Sequence, residues 1–327
     1  MNPSIYIAIF IILVAFGYLY RNLAWKQKII DWPNQRSSHT QPVVRGGGIL
    51  IFLPFTVWLL YLARDESPYR SLAAGFLLLS LLGFLDDKIN LSPKIRFPVQ
   101  LLGTALILQA AGLWKTDWPW YLKTLIFIVA TGFINAYNFM DGINGITGLY
   151  TLVLTVSLWY LNRQTHLMDG TWFELLAVSV LAFGFFNFRK KALMFAGDIG
   201  TMSIASVLLY LMIYFSLQLN SPALLIIVTV YGIDSAMTII RRIFKKENIS
   251  QAHREHLYQK MVDKLEFSHL SVSILYVLIQ TGLNFFFFQN KLWLLPIKTQ
   301  FLSISIILVT FVVLYLIAQK YFDSWKA

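Results

Sequence analysis

The chain of 327 residues contains no cysteine, so it can form no disulfide, present no thiolate nucleophile and hold no metal through sulfur. Charge is scarce as well. Asp, Glu, Lys and Arg make up 13% of the residues, about half the share found in ordinary soluble domains. Acids are the scarcer sign, 16 against 27 Lys and Arg, for a formal net charge of +11. The position of each acid is therefore informative. No internal repeat, low-complexity tract or linker divides the chain, and a single integral domain over 1–327 is expected. The first apolar stretch, Met1 to Tyr20, lacks a basic leading region and a small-residue cleavage site. It is expected to be a retained span rather than a signal peptide.

What the chain has in abundance is apolar sequence: 57% hydrophobic residues and a mean hydropathy of +0.62. These residues form long runs almost free of charge instead of alternating with it. Lipid leaves only helices or closed barrels, and the runs are too continuous for barrel strands. Eleven segments stand out, near 4–20, 46–63, 71–85, 98–113, 119–136, 145–161, 173–188, 201–217, 222–240, 269–287 and 299–318. The expected fold is all-α, a polytopic integral membrane protein of about eleven transmembrane helices. The run 71–85 is short for a span, which suits a helix shielded by protein or beside a water-filled cleft.

The basic residues alternate from loop to loop. Twenty of the 27 fall in 21–45, 86–97, 189–200, 241–268 and after 318. The positive-inside rule places those loops in the cytoplasm, the N-terminus outside and the C-terminus inside. The net positive charge thus serves topology first and anionic substrates second, and nucleic acid is not expected.

Four spans end in acids on that same side. Asp86-Asp87-Lys88 closes the 71–85 run, and Asn138-Phe139-Met140-Asp141-Gly142-Ile143-Asn144-Gly145 follows the fifth segment. Gly197-Asp198-Ile199-Gly200 opens the eighth, and Asp234 lies near the end of the ninth. Adjacent carboxylates at a membrane boundary repel and are costly to desolvate, unless water, a cation or a metal compensates them. Paired carboxylates suit a divalent ion that also holds phosphates, or a base; a solvated loop start or a helix cap would also use Asp. His253-Arg254-Glu255-His256 lies in the most basic loop. His253 and His256 are three apart, the spacing of one helical face, and with Arg254 they could grip phosphate. Arg45-Gly46-Gly47-Gly48 opens the second segment, where bare backbone could approach a phosphate or act as a hinge. Transport would instead place ionisable groups at mid-span, and the mid-spans here are nearly uncharged.

Taken in order, these segments resemble the polyprenyl-phosphate N-acetylhexosamine-1-phosphate transferases of glycosyltransferase family 4. That family includes the initiators of O-antigen, enterobacterial common antigen and teichoic acid synthesis, and the phospho-N-acetylmuramoyl-pentapeptide transferase of peptidoglycan synthesis. The resemblance covers nearly the whole chain, and the wording His253-Arg254-Glu255-His256-Leu257-Tyr258-Gln259 is most similar to the polysaccharide initiators. It implies transfer of a sugar-1-phosphate from a UDP-sugar to undecaprenyl phosphate, with release of UMP, in a bacterial inner membrane. It implies Mg²⁺ or Mn²⁺ as cofactor and Asp198 as leading metal ligand, with Asp86 and Asp87 catalytic, near the metal or activating the lipid phosphate. Arg45, Asn138, Asp141, Asn144, His253, Arg254 and His256 would then bind substrate. The expected partners are undecaprenyl phosphate, a UDP-N-acetylhexosamine, the lipid bilayer and a second copy in a homodimer. One departure stands out: the family commonly shows Asp-Gly-x-Asp-Gly, and the second acid is here Asn144.

Overall fold

The computed structural model describes residues 3–33, 39–248 and 254–324. Among these there are twelve α-helices: α1 (Pro3–Lys26), α2 (Ile49–Leu62), α3 (Ser67–Ile89), α4 (Pro93–Ala111), α5 (Trp120–Phe139), α6 (Ile146–Thr165), α7 (Thr171–Asn187), α8 (Gly197–Gln218), α9 (Thr229–Phe244), α10 (Leu257–Leu265), α11 (His269–Gln289) and α12 (Ile297–Ser324). The described β-structure consists of one antiparallel pair of two-residue strands, Ile30–Asp31 with Val43–Val44, and a single bridge from Val44 to Met194. Ten of the eleven apolar segments each coincide with one helix, and the ninth is divided between a 3₁₀ turn and α9. The twelfth helix, α10, is a short amphipathic element between α9 and α11.

Six stretches are long and apolar enough to cross a bilayer by length and composition alone: α1, α5, α8, Pro222–Phe244, α11 and α12. The chain is a polytopic all-α membrane protein. α3 outruns its apolar segment at both ends, starting at Ser67 with Pro68 in its first turn and continuing through Asp86 and Asp87 to a left-handed Asn90. Proline suits the first turn because its missing N–H has no helical partner there.

α8 is the axis of the bundle. It is packed by α2, α3, α4, α5 and α6, and 83% of its most apolar stretch is buried, against 11% for α12 at the periphery. Small residues let backbones meet α8. A Cβ built on Gly48 would lie 1.9 Å from Gly200 Cα, and one on Gly83 would lie 2.5 Å from the Asp198 carbonyl. Close backbone approach of this kind holds helices together where lipid supplies no hydrophobic drive.

The ninth segment is broken. Residues Pro222–Val228 form a 3₁₀ turn before α9 begins. The freed backbone groups are met by buried glutamines: Gln280 accepts from Val230 N (3.0 Å) and donates to Ile226 O (3.1 Å), and Gln300 accepts from Ala223 N (3.2 Å). In hydrocarbon such groups cannot be left to water.

Candidate active site

The loops after α1, α3, α5, α7 and α9 converge at one end of the bundle. The segment leading into α2 is zipped along the segment leading into α8. Phe195 N donates to Val44 O (2.9 Å), Gly47 N to Phe195 O (2.8 Å) and Gly48 N to Ala196 O (2.9 Å). The N–H groups of Gly47 and Gly48 are thus spent on backbone carbonyls and do not form a phosphate cradle. Their function is to allow the Gly48–Gly200 contact, which places Arg45 over the start of α8.

There, three carboxylates and two guanidinium groups form one cluster. Arg45 lies 3.3 Å from Asp87 Oδ1 and 3.7 Å from Asp198 Oδ1. Arg96, in the first turns of α4, lies 2.7 Å from Asp86 Oδ2 and 3.4 Å from Asp198 Oδ2. The carboxylates differ in access: the side chains of Asp87, Asp86 and Asp198 are 0%, 9% and 12% exposed, and those of Arg45 and Arg96 are 29% and 26%. Both oxygens of Asp87 accept amide protons from α8, from Asp198 N (3.0 Å) and Ile199 N (3.2 Å). Asp87 therefore caps a helix to which it does not belong, satisfying N–H groups that have no helical partner and meeting the positive end of its dipole. Asp86 Oδ1 accepts from Leu91 N (2.7 Å) at the exit of α3, and its other oxygen faces Arg96.

Asp141 sits half-buried in the turn after α5. Burial raises its carboxyl to about 6, and the Asp87 charge adds to the rise. Asn138, one turn back on α5, holds its amide nitrogen buried with no hydrogen-bond partner among the described residues. Asn144 is turned the other way. Its side-chain amide donates to Arg189 O (2.9 Å) and Lys190 O (3.1 Å), while Ser273 on α11 donates to the backbone carbonyl of Asn144 (2.9 Å). Asn187 completes the staple, accepting from Gly145 N (2.7 Å) and donating to Met194 O (2.9 Å). Asn144 thus acts as a donor to two carbonyls, a role that a carboxylate cannot fill. Beside the staple opens a cleft of about 240 Å³ whose lining includes His39, Asn144, Lys190, Lys191, Phe195 and His269.

The His loop is placed differently from the sequence expectation. His253 lies outside the described residues. His256 precedes α10 in extended backbone, so helical spacing does not apply to it. It is buried, 3.3 Å from Asp234 Oδ1 through Nδ1, and its ring stacks on Tyr258. Tyr258 donates to Phe139 O (3.0 Å) and lies against Gly142, which fastens α10 to the turn carrying Asp141. Arg254 is paired with Asp263 on α10. The structure thus joins Arg45, Asp86, Asp87 and Asp198 in one cluster, sets Asp141 and Asn138 beside it, and gives Asp234 to the His loop instead. Sequence reasoning missed Arg96, Asn187 and Tyr258. Arg96 had one signal, a cation one turn inside a proline-started helix, ten residues after Asp86.

The donor set suits a hard divalent ion. Among the described residues no three acidic or histidine side chains are close enough to hold an ion by themselves. Magnesium commonly takes one or two protein carboxylates and completes its shell with water and substrate phosphates. Asp198 and Asp86, partly open and facing one another across Arg96, fit that pattern.

Fold and site together define a membrane-embedded enzyme for phosphorylated substrates, with carboxylates and arginines gathered at the mouth of an α-helical bundle. The chain belongs to glycosyl transferase family 4: the family model matches residues 69–216, which include every cluster member except Arg45. Over 322 aligned residues it is 30% identical to the "Probable undecaprenyl-phosphate N-acetylglucosaminyl 1-phosphate transferase" of Bacillus subtilis (strain 168), covering 92% of this chain and 87% of that one. It is 26% identical to the undecaprenyl-phosphate alpha-N-acetylglucosaminyl 1-phosphate transferase of Yersinia pestis and 25% identical to that of Escherichia coli (strain K12), each covering 77% of this chain and 74% of the relative.

Proposed function

We propose that the chain transfers an N-acetylhexosamine-1-phosphate from a UDP-sugar to undecaprenyl phosphate, in a bacterial inner membrane with the charged end of the bundle in the cytoplasm. The observation that carries this is the cluster of Asp86, Asp87, Asp198, Arg45 and Arg96 beside a cleft lined by Lys190, Lys191 and Phe195. The relatives named above are transferases of the same kind.

In this reading the nucleotide lies in the cleft, its base against Phe195 and its phosphates near the two lysines. An oxygen of the lipid phosphate attacks the sugar-bearing phosphorus of the donor. The bond from that phosphorus to the bridging oxygen breaks, and UMP leaves with that oxygen. In this reading Asp86 takes a proton from the lipid phosphate; its partial exposure supports this, whereas Asp87 is fully buried and committed to α8. Arg45 and Arg96, the most exposed members, hold phosphate oxygens and offset charge. Mg²⁺ held by Asp198 would supply further neutralisation of the pyrophosphate. Phosphoryl transfer needs chiefly such positioning and charge compensation.

The test is an assay of purified protein with undecaprenyl phosphate, Mg²⁺ and a panel of radiolabelled UDP-sugars, including UDP-N-acetylmuramoyl-pentapeptide. The expected result is UMP release with a lipid-linked product from an N-acetylhexosamine donor. Turnover of the muramoyl-pentapeptide donor alone would move the chain to peptidoglycan synthesis, and no lipid product from any donor would overturn the reading.

A further inference from the structure

One wall of the cleft, with Lys190, Lys191 and Phe195, is the loop between α7 and α8, and two asparagines hold it. Asn144 and Asn187 are buried, 4% and 5% exposed. The side-chain amide of Asn144 donates to Arg189 O (2.9 Å) and Lys190 O (3.1 Å) at the near end of the loop. Asn187 donates to Met194 O (2.9 Å) at the far end and accepts from Gly145 N (2.7 Å), next to Asn144. The loop is therefore fastened at both ends to the turn that opens α6. Ser273 on α11 donates to the backbone carbonyl of Asn144 (2.9 Å) and fixes that turn in its place.

The same loop sets the facing wall. Met194 bridges to Val44, Phe195 N donates to Val44 O (2.9 Å), and the His39 ring meets the Phe195 ring edge-on at 5.0 Å. Both walls thus depend on where the asparagines put residues 189–195. The lining contains Lys190, Lys191, His39 and His269 and, among the described residues, no acid. A concave site of that charge draws in a diphosphate. Asn144 belongs to the lining and Asn187 does not. An ionised aspartate at 144 has no proton to donate. It would face two carbonyl oxygens and bring negative charge to the two lysines.

We propose that Asn144 and Asn187 are positioning residues for the diphosphate of the nucleotide sugar: they set the Lys190–Lys191 wall, and position 144 requires an amide rather than the acid common in the family. This rests on the reading that the cleft takes the nucleotide of a UDP-sugar. Three variants of the purified protein test it: Asn144→Asp, Asn144→Ala and Asn187→Asp. Asn187→Asp keeps an acceptor for Gly145 N, loses the donor to Met194 O and changes no group of the lining. UDP binding, measured by calorimetry, should weaken about threefold in Asn144→Ala and Asn187→Asp, the scale of a lost hydrogen bond. In Asn144→Asp it should weaken at least about tenfold, because a like charge joins the lost donor. The KM for UDP-N-acetylglucosamine should rise in the same order, while that for undecaprenyl phosphate stays within about twofold. Amide exchange in detergent reads the loop without substrate. The amides of Leu193 and Phe195, held on Phe186 O and Val44 O, should exchange faster in all three variants, with α3 and α8 unchanged. The proposal is overturned by a wild type that binds no UDP, or by Asn144→Asp binding UDP as tightly as wild type. It is equally overturned by both KM values rising together, or by exchange that rises throughout the bundle, the mark of a merely structural role. Weakened UDP binding and a loosened loop, in a protein that turns over no UDP-sugar, would support the staple and remove the transfer reaction. Turnover with the donor KM unchanged in all three variants would do the opposite.

Discussion

Both oxygens of Asp87 are bonded to amide protons in the first turn of α8, and its side chain has no exposed surface. In Asp87→Asn one of those acceptors becomes an NH₂ facing an N–H. The expected cost is about 1–3 kcal/mol of stability, the penalty of an unmet buried donor, seen as a lower melting temperature in detergent together with lost turnover. Asp86→Asn faces Arg96 at a partly open edge and should lose turnover with its melting temperature nearly unchanged. Equal melting shifts in the two variants would show that the neighbours do not divide the work in this way. Asp141 adds a pH test. Burial lifts its carboxyl from the ordinary 3.8 to about 6. The folded chain therefore binds this proton more readily than the unfolded chain does. Its neutral form contributes stability that is full below the unfolded value and lost as pH rises through 6. Turnover that needs the ionised form should show an acid limb with a midpoint near pH 6. Asp141→Asn, which cannot ionise, should lose turnover at every pH, and it should gain stability relative to wild type on going from about pH 5 to about pH 8. A wild-type rate profile flat over that range would remove Asp141 from the ionisable machinery.

At the scale of elements, the site depends on how closely α3 approaches α8. A Cβ on Gly83 would lie 2.5 Å from the carbonyl carbon and oxygen of Asp198. Gly83→Ala must therefore push apart the two helices that carry Asp86, Asp87 and Asp198. It should cost about 1–3 kcal/mol, the usual price of overpacking, and reduce turnover at least about tenfold, a barrier rise of about 1.4 kcal/mol. Gly132→Ala is the control, since nothing lies within 4 Å of a Cβ there; a similar loss in both would point to glycine's backbone rather than to the α3–α8 contact. The helices themselves were legible in the sequence, because lipid demands apolar runs; ten of the eleven runs became single helices and the ninth a 3₁₀ turn followed by α9. The acids at the mouth were legible because acids are rare and sat at span ends. The arginine that binds two of them was not, because Arg96 pairs with Asp198, 102 positions away, and helical periodicity carries no record of such a partner. α10 was hidden by its nine residues and polar face, and the break at Pro222–Val228 by an apolar composition that continues through it. The role of Asn144 was hidden for another reason: the amide is defined by the carbonyls of Arg189 and Lys190, and the motif shows only that an acid is missing.

For the whole molecule, the function depends on which way the bundle faces. The loops bearing Arg45, Asp86, Asp141, Asp198 and His256 meet at one end, and twenty of the 27 basic residues belong to that end by sequence position. A transferase that draws on a nucleotide sugar needs that end in the cytoplasm, and the positive-inside bias gives the same direction. The two arguments are independent, one from the substrate and one from insertion. They predict that alkaline phosphatase fused after Ala327 is inactive, while the same reporter fused at Arg163, on the last turn of α6 at the opposite end, is active. Green fluorescent protein, which fluoresces when folded in the cytoplasm, should give the reverse pattern. If phosphatase were active after Ala327 and silent at Arg163, the carboxylate–arginine mouth would open away from the nucleotide pool. The charge count and the proposed donor would then fall together, since a site built around phosphates would have no nucleotide sugar to meet.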